Sequence, residues 1–286
     1  MITATPELLV NTHDGCGENP LYDEKRGLFY WCDIPDAEFY EWNPKTRTHR
    51  LIYKGTEECG AFTLQEDGKF LMLLTGNAGI LDPVTGVFTP LAAEITSNTG
   101  RFNDCIAKPD GGVISGTADW VTKIRGALFD MDVNLKATKI CEGTACSNGL
   151  GFTPKLDGVY WSDSTAKTVY YFDYDQQTGL SNRKAWLVTP DFTPDGLTVD
   201  LNGNLWIAFY DGGFIRHYSS EGELIQQIDV PSKHVTSCIF GGDNYDELYI
   251  TSAGGKEGDD STTGGLFRLK CEVGGKPEFR TKIGLK

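Results

Sequence analysis

The sequence predicts an all-β fold: a six-bladed β-propeller of four-stranded antiparallel blades, closed by pairing of the N- and C-terminal segments. Three observations carry that reading. The composition leans towards strands, a turn followed by an aromatic or β-branched strand recurs six times, and a second hairpin follows each recurrence.

The chain of 286 residues holds 34 glycines and 12% aromatic residues, without a long stretch of apolar residues at helical spacing. This is the pattern of many short strands joined by tight turns. The length suits one domain, residues 1–286, whose core needs no disulfide or metal staple. Forty acidic against 26 basic residues give a formal charge of −14. With no Lys- or Arg-rich run, nucleic acid is excluded as a partner. No segment approaches a membrane span and the first residues lack a secretory pattern, so a cytoplasmic protein without membrane contact is expected. The eight cysteines form no CxxC pair and are expected to be reduced and mostly buried.

The repeat is legible in DEKRGLFYWCD, EDGKFLML, PDGGVISG, LDGVYWSD, LNGNLWIA and NYDELYIT. Its marker is Gly27, Gly68, Gly111, Gly158 and Gly203, with Asp246 in the glycine's place in the sixth copy. Intervals of 41 to 47 residues match one propeller blade. Two stacked β-sandwiches would not require six evenly spaced copies. Second hairpins follow, as in FYEWNPKTR, GILDPVTG and VYYFDYDQQTG, punctuated by Asn-Pro, Asp-Pro and Thr-Gly. A blade of this kind cannot cover both its faces, so neighbours must pack on it. Trp31, Trp161 and Trp206, just after marker turns, are expected in those packing layers. For closure, Glu7 to Val10 should pair with the sheet containing Leu266 to Lys270, which removes an exposed edge.

Residues at one offset from the marker occupy equivalent places in successive blades. Eight to ten positions upstream stand Glu18, Gly60, Asn103, Asn148, Asp195 and Ser237. These start the innermost strands and converge near the axis at one end, while the glycine leaves space. Carboxylates and amides facing one another there call for a cation. All-oxygen ligation points to Ca²⁺, Mg²⁺ or Mn²⁺, although Fe²⁺ and Zn²⁺ also accept carboxylates. Each residue has an ordinary reading as well: Asp195 in a Pro-Asp-Gly turn, Asn148 as a turn residue, Glu18 as a surface acid. Their shared phase favours the metal.

GCGENPLYDEKRGLFYWCDI, RFNDCIAKPDGGVISGT, SNGLGFTPKLDGVYWSDS and TPDGLTVDLNGNLWIAFYDGG, in this order, resemble the senescence marker protein/gluconolactonase/luciferin-regenerating family almost end to end. The resemblance implies a six-bladed propeller, a metal held by Glu18, Asn148 and Asp195, and substrate contacts from Arg101 and Asn103, with Asp104 a weaker candidate. Asn19 departs from the family's glycine after the metal-binding Glu. An acid that some members direct at the sugar has no certain counterpart in GTADWVTKIRGAL, where Asp119 and Trp120 lie nearby.

By resemblance the activity is hydrolysis of sugar-derived lactones to aldonic acids, with a small-molecule sugar lactone as partner. Asp195 is the candidate acid–base residue. Two alternatives stand beside it: an organophosphate-type hydrolase using the same ion, and a non-catalytic calcium-binding propeller. The oligomeric state is left open, a monomer being compatible with a closed ring. No GxSxG elbow, Walker loop or HExxH is present. DMDVN at Asp130 lacks the glycine and glutamate of a calcium loop. The four histidines are too dispersed for a metal cluster.

Overall fold

In the computed structural model, residues 4–91, 95, 100–123, 125–255 and 262–285 are described. They form twenty-four strands and no helix, arranged as six four-stranded antiparallel sheets. This is the expected six-bladed propeller. Blades 1 to 5 are each built from four consecutive strands. Their innermost strands are Gly17–Asp23, Ala61–Leu64, Arg101–Ala107, Ser147–Phe152 and Pro194–Val199. Blade 6 runs from its innermost strand, His234–Gly241, through Glu247–Ala253 and Gly265–Lys270 to an outermost strand, Glu7–Asn11, from the other end of the chain.

That last pairing closes the ring between the anticipated segments, with Glu7 opposite Arg268, Leu8 opposite Phe267 and Val10 opposite Leu266. Arg268 also holds Glu7 through an ion pair of 2.8 Å.

Six apolar clusters hold the blades together, one at each junction. Between blades 1 and 6, for example, Phe29, Trp31 and Trp42 meet Tyr249 and Leu266. Trp31, Trp161 and Trp206 are all buried in such layers. Each indole N–H has an acceptor: Asp14 Oδ2 at 2.9 Å, Ser147 Oγ at 2.7 Å and Asp200 Oδ2 at 3.1 Å, as a buried Trp requires.

The marker turns gather on one side of the ring, here the underside. Gly27, Gly68, Gly111 and Gly203 adopt the left-handed conformation that a tight turn demands. In blades 4 and 6 the left-handed residue is Leu156 and Tyr245 instead. Asp246 therefore does not replace the glycine; its carboxylate holds Lys270 at 2.5 Å.

The C-terminal segment, unassigned from sequence, straps this underside by touching a marker turn of every blade. Cys271 N and Gly275 N donate to Asp246 O and Tyr245 O, and Leu201 N donates to Gly274 O. Phe279 packs edge-on against Phe152. Lys282 N reaches Gly111 O, and Thr281 N reaches Leu64 O. Arg280 pairs with Asp23 at 2.7 Å and Glu24 at 2.8 Å. All eight cysteines are free thiols.

Candidate functional site

At the upper end, the innermost strands start with irregularities. Register shifts fall between Glu18 and Leu21, Phe102 and Asp104, Asn148 and Leu150, and Pro194 and Leu197. A bulge re-aims a side chain out of the pleat. Here the bulges occur where oxygen-bearing side chains line a cavity of about 610 Å³. Glu18, Asn103, Asn148 and Asp195 lie together on it, all buried. Asp195 and Asn148 are strand residues, and Glu18 is 4% exposed. Neither the turn reading nor the surface reading describes them.

The site is ordered by a chain of hydrogen bonds. Asn103 Nδ2 donates to Ser147 O at 2.8 Å and to Asn148 Oδ1 at 2.6 Å. Asn148 Nδ2 donates to Ser164 Oγ at 2.8 Å, and Ser164 Oγ donates to Pro194 O at 2.7 Å. Ser164 thereby ties the Asn148 carboxamide of blade 4 to the backbone just before Asp195 in blade 5. Arg101 Nη2 donates to Asn103 Oδ1 at 2.9 Å, and Arg101 Nε lies 3.1 Å from Glu58 in an ion pair whose N–H is not aligned as a hydrogen bond.

Gly60 fills the place its phase predicted for it. A Cβ there would lie 2.2 Å from Arg101 Nη1, so the space it leaves is occupied by the guanidinium. Gly149, next to Asn148, lets two innermost strands close up: its Cβ would be 2.5 Å from Asp195 O. Asn19 takes a left-handed φ of 49°, which Asn tolerates better than most side chains. Its Oδ1 accepts from Phe62 N at 2.6 Å, so the departure from glycine adds a tie between blades 1 and 2.

Burial pushes the Glu18 carboxyl up to about 7. Burial, and then the neighbouring Glu18 charge, push Asp195 well above the usual carboxylate range. Asp195 Oδ1 is buried with no hydrogen-bond partner. Two buried carboxyls, one of them with an orphaned oxygen, and an amide oxygen form a donor set suited to a hard divalent cation, which would reverse both shifts.

Two members of the predicted set do not join this group. Asp104 lines a separate cavity of about 40 Å³ beneath, with Glu278 from the C-terminal strap. Its Oδ1 accepts from Cys105 N at 2.7 Å. It follows Asn103 directly, and adjacent strand residues point different ways. Ser237 also lines that lower cavity, so among the described residues blade 6 adds no side chain to the mouth.

A second ring, of which the resemblance supplies only Arg101, went unread in the sequence. Cys16, Glu58, Arg101, Cys146 and Thr193 each lie two residues before a member of the first ring, and all five line the cavity. The strand period of two was the available signal. The rim above comes from loops after the second strand of a blade: Ile34 and Pro35, Trp120, Thr165, and Tyr210. A further carboxylate trio, Asp33, Asp36 and Glu38, lies apart from the mouth. Asp33 accepts from Gly15 N and Cys16 N, and Glu38 pairs with Lys54 at 2.7 Å.

A family model described as SMP-30/Gluconolactonase/LRE-like region matches residues 16–254. Pentonolactonase XacC of Haloferax volcanii is 36% identical over 291 residues, which cover 97% of this chain and 98% of that protein. Regucalcin of Oryctolagus cuniculus is 30% identical over 269 residues, 89% and 90% of the two chains. A solved luciferin-regenerating enzyme superposes with a TM-score of 0.89 at 26% identity, over 98% of this chain and 99% of that one. Family match, relatives and fold agree: the chain belongs to the SMP-30/gluconolactonase/LRE-like family.

Proposed function

We propose that this protein is a metal-dependent hydrolase that opens sugar-derived lactones to aldonic acids, with Glu18, Asn148 and Asp195 holding one divalent ion. The carrying observation is the orphaned, buried Asp195 Oδ1 beside Glu18, on a cavity that also presents Arg101 and Asn103. The similarity to a protein named pentonolactonase supports the same chemistry.

A divalent cation bound there would supply electrophilic polarisation of the lactone carbonyl and charge stabilisation worth several kcal/mol. The chain's own residues do the rest. Arg101, whose guanidinium lines the cavity, hydrogen-bonds the substrate. Asn103, braced by Arg101 and Asn148, holds the polar edge of the ring. Asp195 accepts a proton from the attacking water as the new C–O bond forms. It then returns that proton to the ring oxygen as the old C–O bond breaks, leaving a hydroxy acid.

The test starts from protein stripped with a chelator. Calcium, magnesium, manganese and zinc are titrated calorimetrically, and acid release from fresh aldonolactone is followed by pH-stat above the spontaneous rate. One ion should bind and restore hydrolysis, and Asp195→Asn should lose both. Binding without hydrolysis would favour a calcium-holding propeller. Faster turnover of a phosphotriester than of any lactone would favour the organophosphate reading.

A further inference from the structure

Resting on the lactonase reading, we infer that Trp120 is the specificity-determining wall of the cavity: its indole lies against the C–H face of a neutral sugar-lactone ring while the floor holds the ring's polar edge.

The tryptophans separate sharply. Trp31, Trp42, Trp161 and Trp206 are buried, and Trp186 is half-buried with its N–H on Ser220 O at 2.9 Å. Trp120 alone is 60% exposed, and it lines the cavity. A large aromatic left uncovered at the edge of a polar cavity marks a surface that gains from being covered by ligand.

The exposure does not come from a loose loop. Asp119 accepts from Val121 N at 3.1 Å, Thr122 N at 3.0 Å and Arg125 N at 3.1 Å, and also from the Thr122 hydroxyl. Asp119 N donates to Ala145 O in blade 4 at 2.9 Å. The Asp119 carboxylate is thus spent on its own loop, and the chain offers an aromatic face to the cavity from this segment instead of an acid.

Across the rim Tyr210 stacks on His234, with centroids 4.7 Å apart and planes 29° apart. Ile34 and Pro35 complete an apolar collar above the polar floor of Arg101, Asn103 and Glu58. This division matches a cyclic sugar lactone, which has hydroxyls around its edge and C–H bonds on its faces. The open-chain acid has no such flat face, so the wall favours substrate over product.

The test uses the ion-loaded protein and a sugar lactam, a cyclic amide with the ring shape of the lactone. Lactam binding should shield Trp120, the one exposed indole, from acrylamide quenching, and Trp120→Ala should lose the shielding. On an aldonolactone, Trp120→Ala should raise KM roughly 10- to 100-fold with a much smaller change in kcat, and Trp120→Phe should recover most of that loss. Unshielded fluorescence in a protein that hydrolyses the lactone, or an unchanged KM in Trp120→Ala, would overturn the wall. Shielding without any lactone hydrolysis would support the wall and sink the lactonase reading.

Discussion

Replacing Gly60 by alanine perturbs the proposed substrate side of the mouth without touching the proposed ion ligands. The new methyl would lie 2.2 Å from Arg101 Nη1 and 2.9 Å from Asn103 O. Contacts of this kind settle at about 3.5 Å, so the guanidinium must retreat by roughly 1 Å. Gly60 is not among the positive-φ residues, so alanine brings a clash without backbone strain. The retreat breaks the bond from Arg101 Nη2 to Asn103 Oδ1, 2.9 Å long. A hydrogen bond from a charged donor is worth about 1.5–3 kcal/mol. Glu58 is 54% exposed, so loss of that ion pair adds at most about 1 kcal/mol. If the transition state uses this arrangement, kcat/KM on an aldonolactone should fall roughly 10- to 1,000-fold. Calorimetric ion affinity should stay within about twofold of the parent protein. Wild-type kcat/KM in a folded Gly60→Ala protein would refute the placement of Arg101. An equal loss of ion binding would show that the two rings are not separable.

Ser164→Ala strips Asn148 Nδ2 and Pro194 O of their shared partner; ion affinity should weaken about 10- to 100-fold by titration, whereas unchanged affinity would mean that Asn103 alone orients the amide. Asp14 is buried, and burial, then the Asp33 charge, push its carboxyl up to about 8 from 3.8. Its folded-state value lies above its unfolded one, so its contribution to stability is full below about pH 4 and is lost as pH rises to about 8, bounded at ~6 kcal/mol. Asp14→Asn should therefore flatten the fall in Tm across that window, and parallel Tm curves would contradict it. Arg280→Met leaves Asp23 buried with Arg26 as its remaining ion pair; a loss of about 3 kcal/mol in urea unfolding is expected, and a change within error would show that the strap is held by its backbone bonds.

The ring was legible because a propeller repeats its turn and strand chemistry at one period, and the side chains at a given phase meet whether or not their neighbours in sequence are alike. Glu18, Asn103, Asn148 and Asp195 were found in this way. Counting broke down where blades depart from the common geometry. In blade 6 the register shift falls between Val235 and Ser237, which carries Ser237 down into the lower cavity. Asp104 was tied to the site by its place in RFND, yet the alternation of a strand sends it elsewhere. Apart from Arg101, which the resemblance supplies, the second ring was missed because Cys16, Glu58, Arg101, Cys146 and Thr193 share a phase but no chemistry. The strap carries no motif at all: it is held largely by backbone bonds to turns scattered over the whole chain, and such pairings leave no local trace.

The two faces of the ring are finished by different means, and the difference determines where chemistry can occur. Below, the strap crosses every marker turn and brings Glu278 under Asp104; Glu278 is half-buried, and desolvation pushes its carboxyl up to about 7. Above, the loops stand apart and leave about 610 Å³ open. The wide opening for ligand is therefore at the upper end. Glu18 and Asp195 therefore face solvent on one side and a plugged, weakly polarisable channel on the other, where screening is poor and each charge acts strongly. An ion between them would gain from that setting, because its charge acts at full strength there and offsets the burial that otherwise favours a proton on each carboxyl. The strap, far from the mouth and invisible to motif reading, thus favours the ion proposed for the mouth.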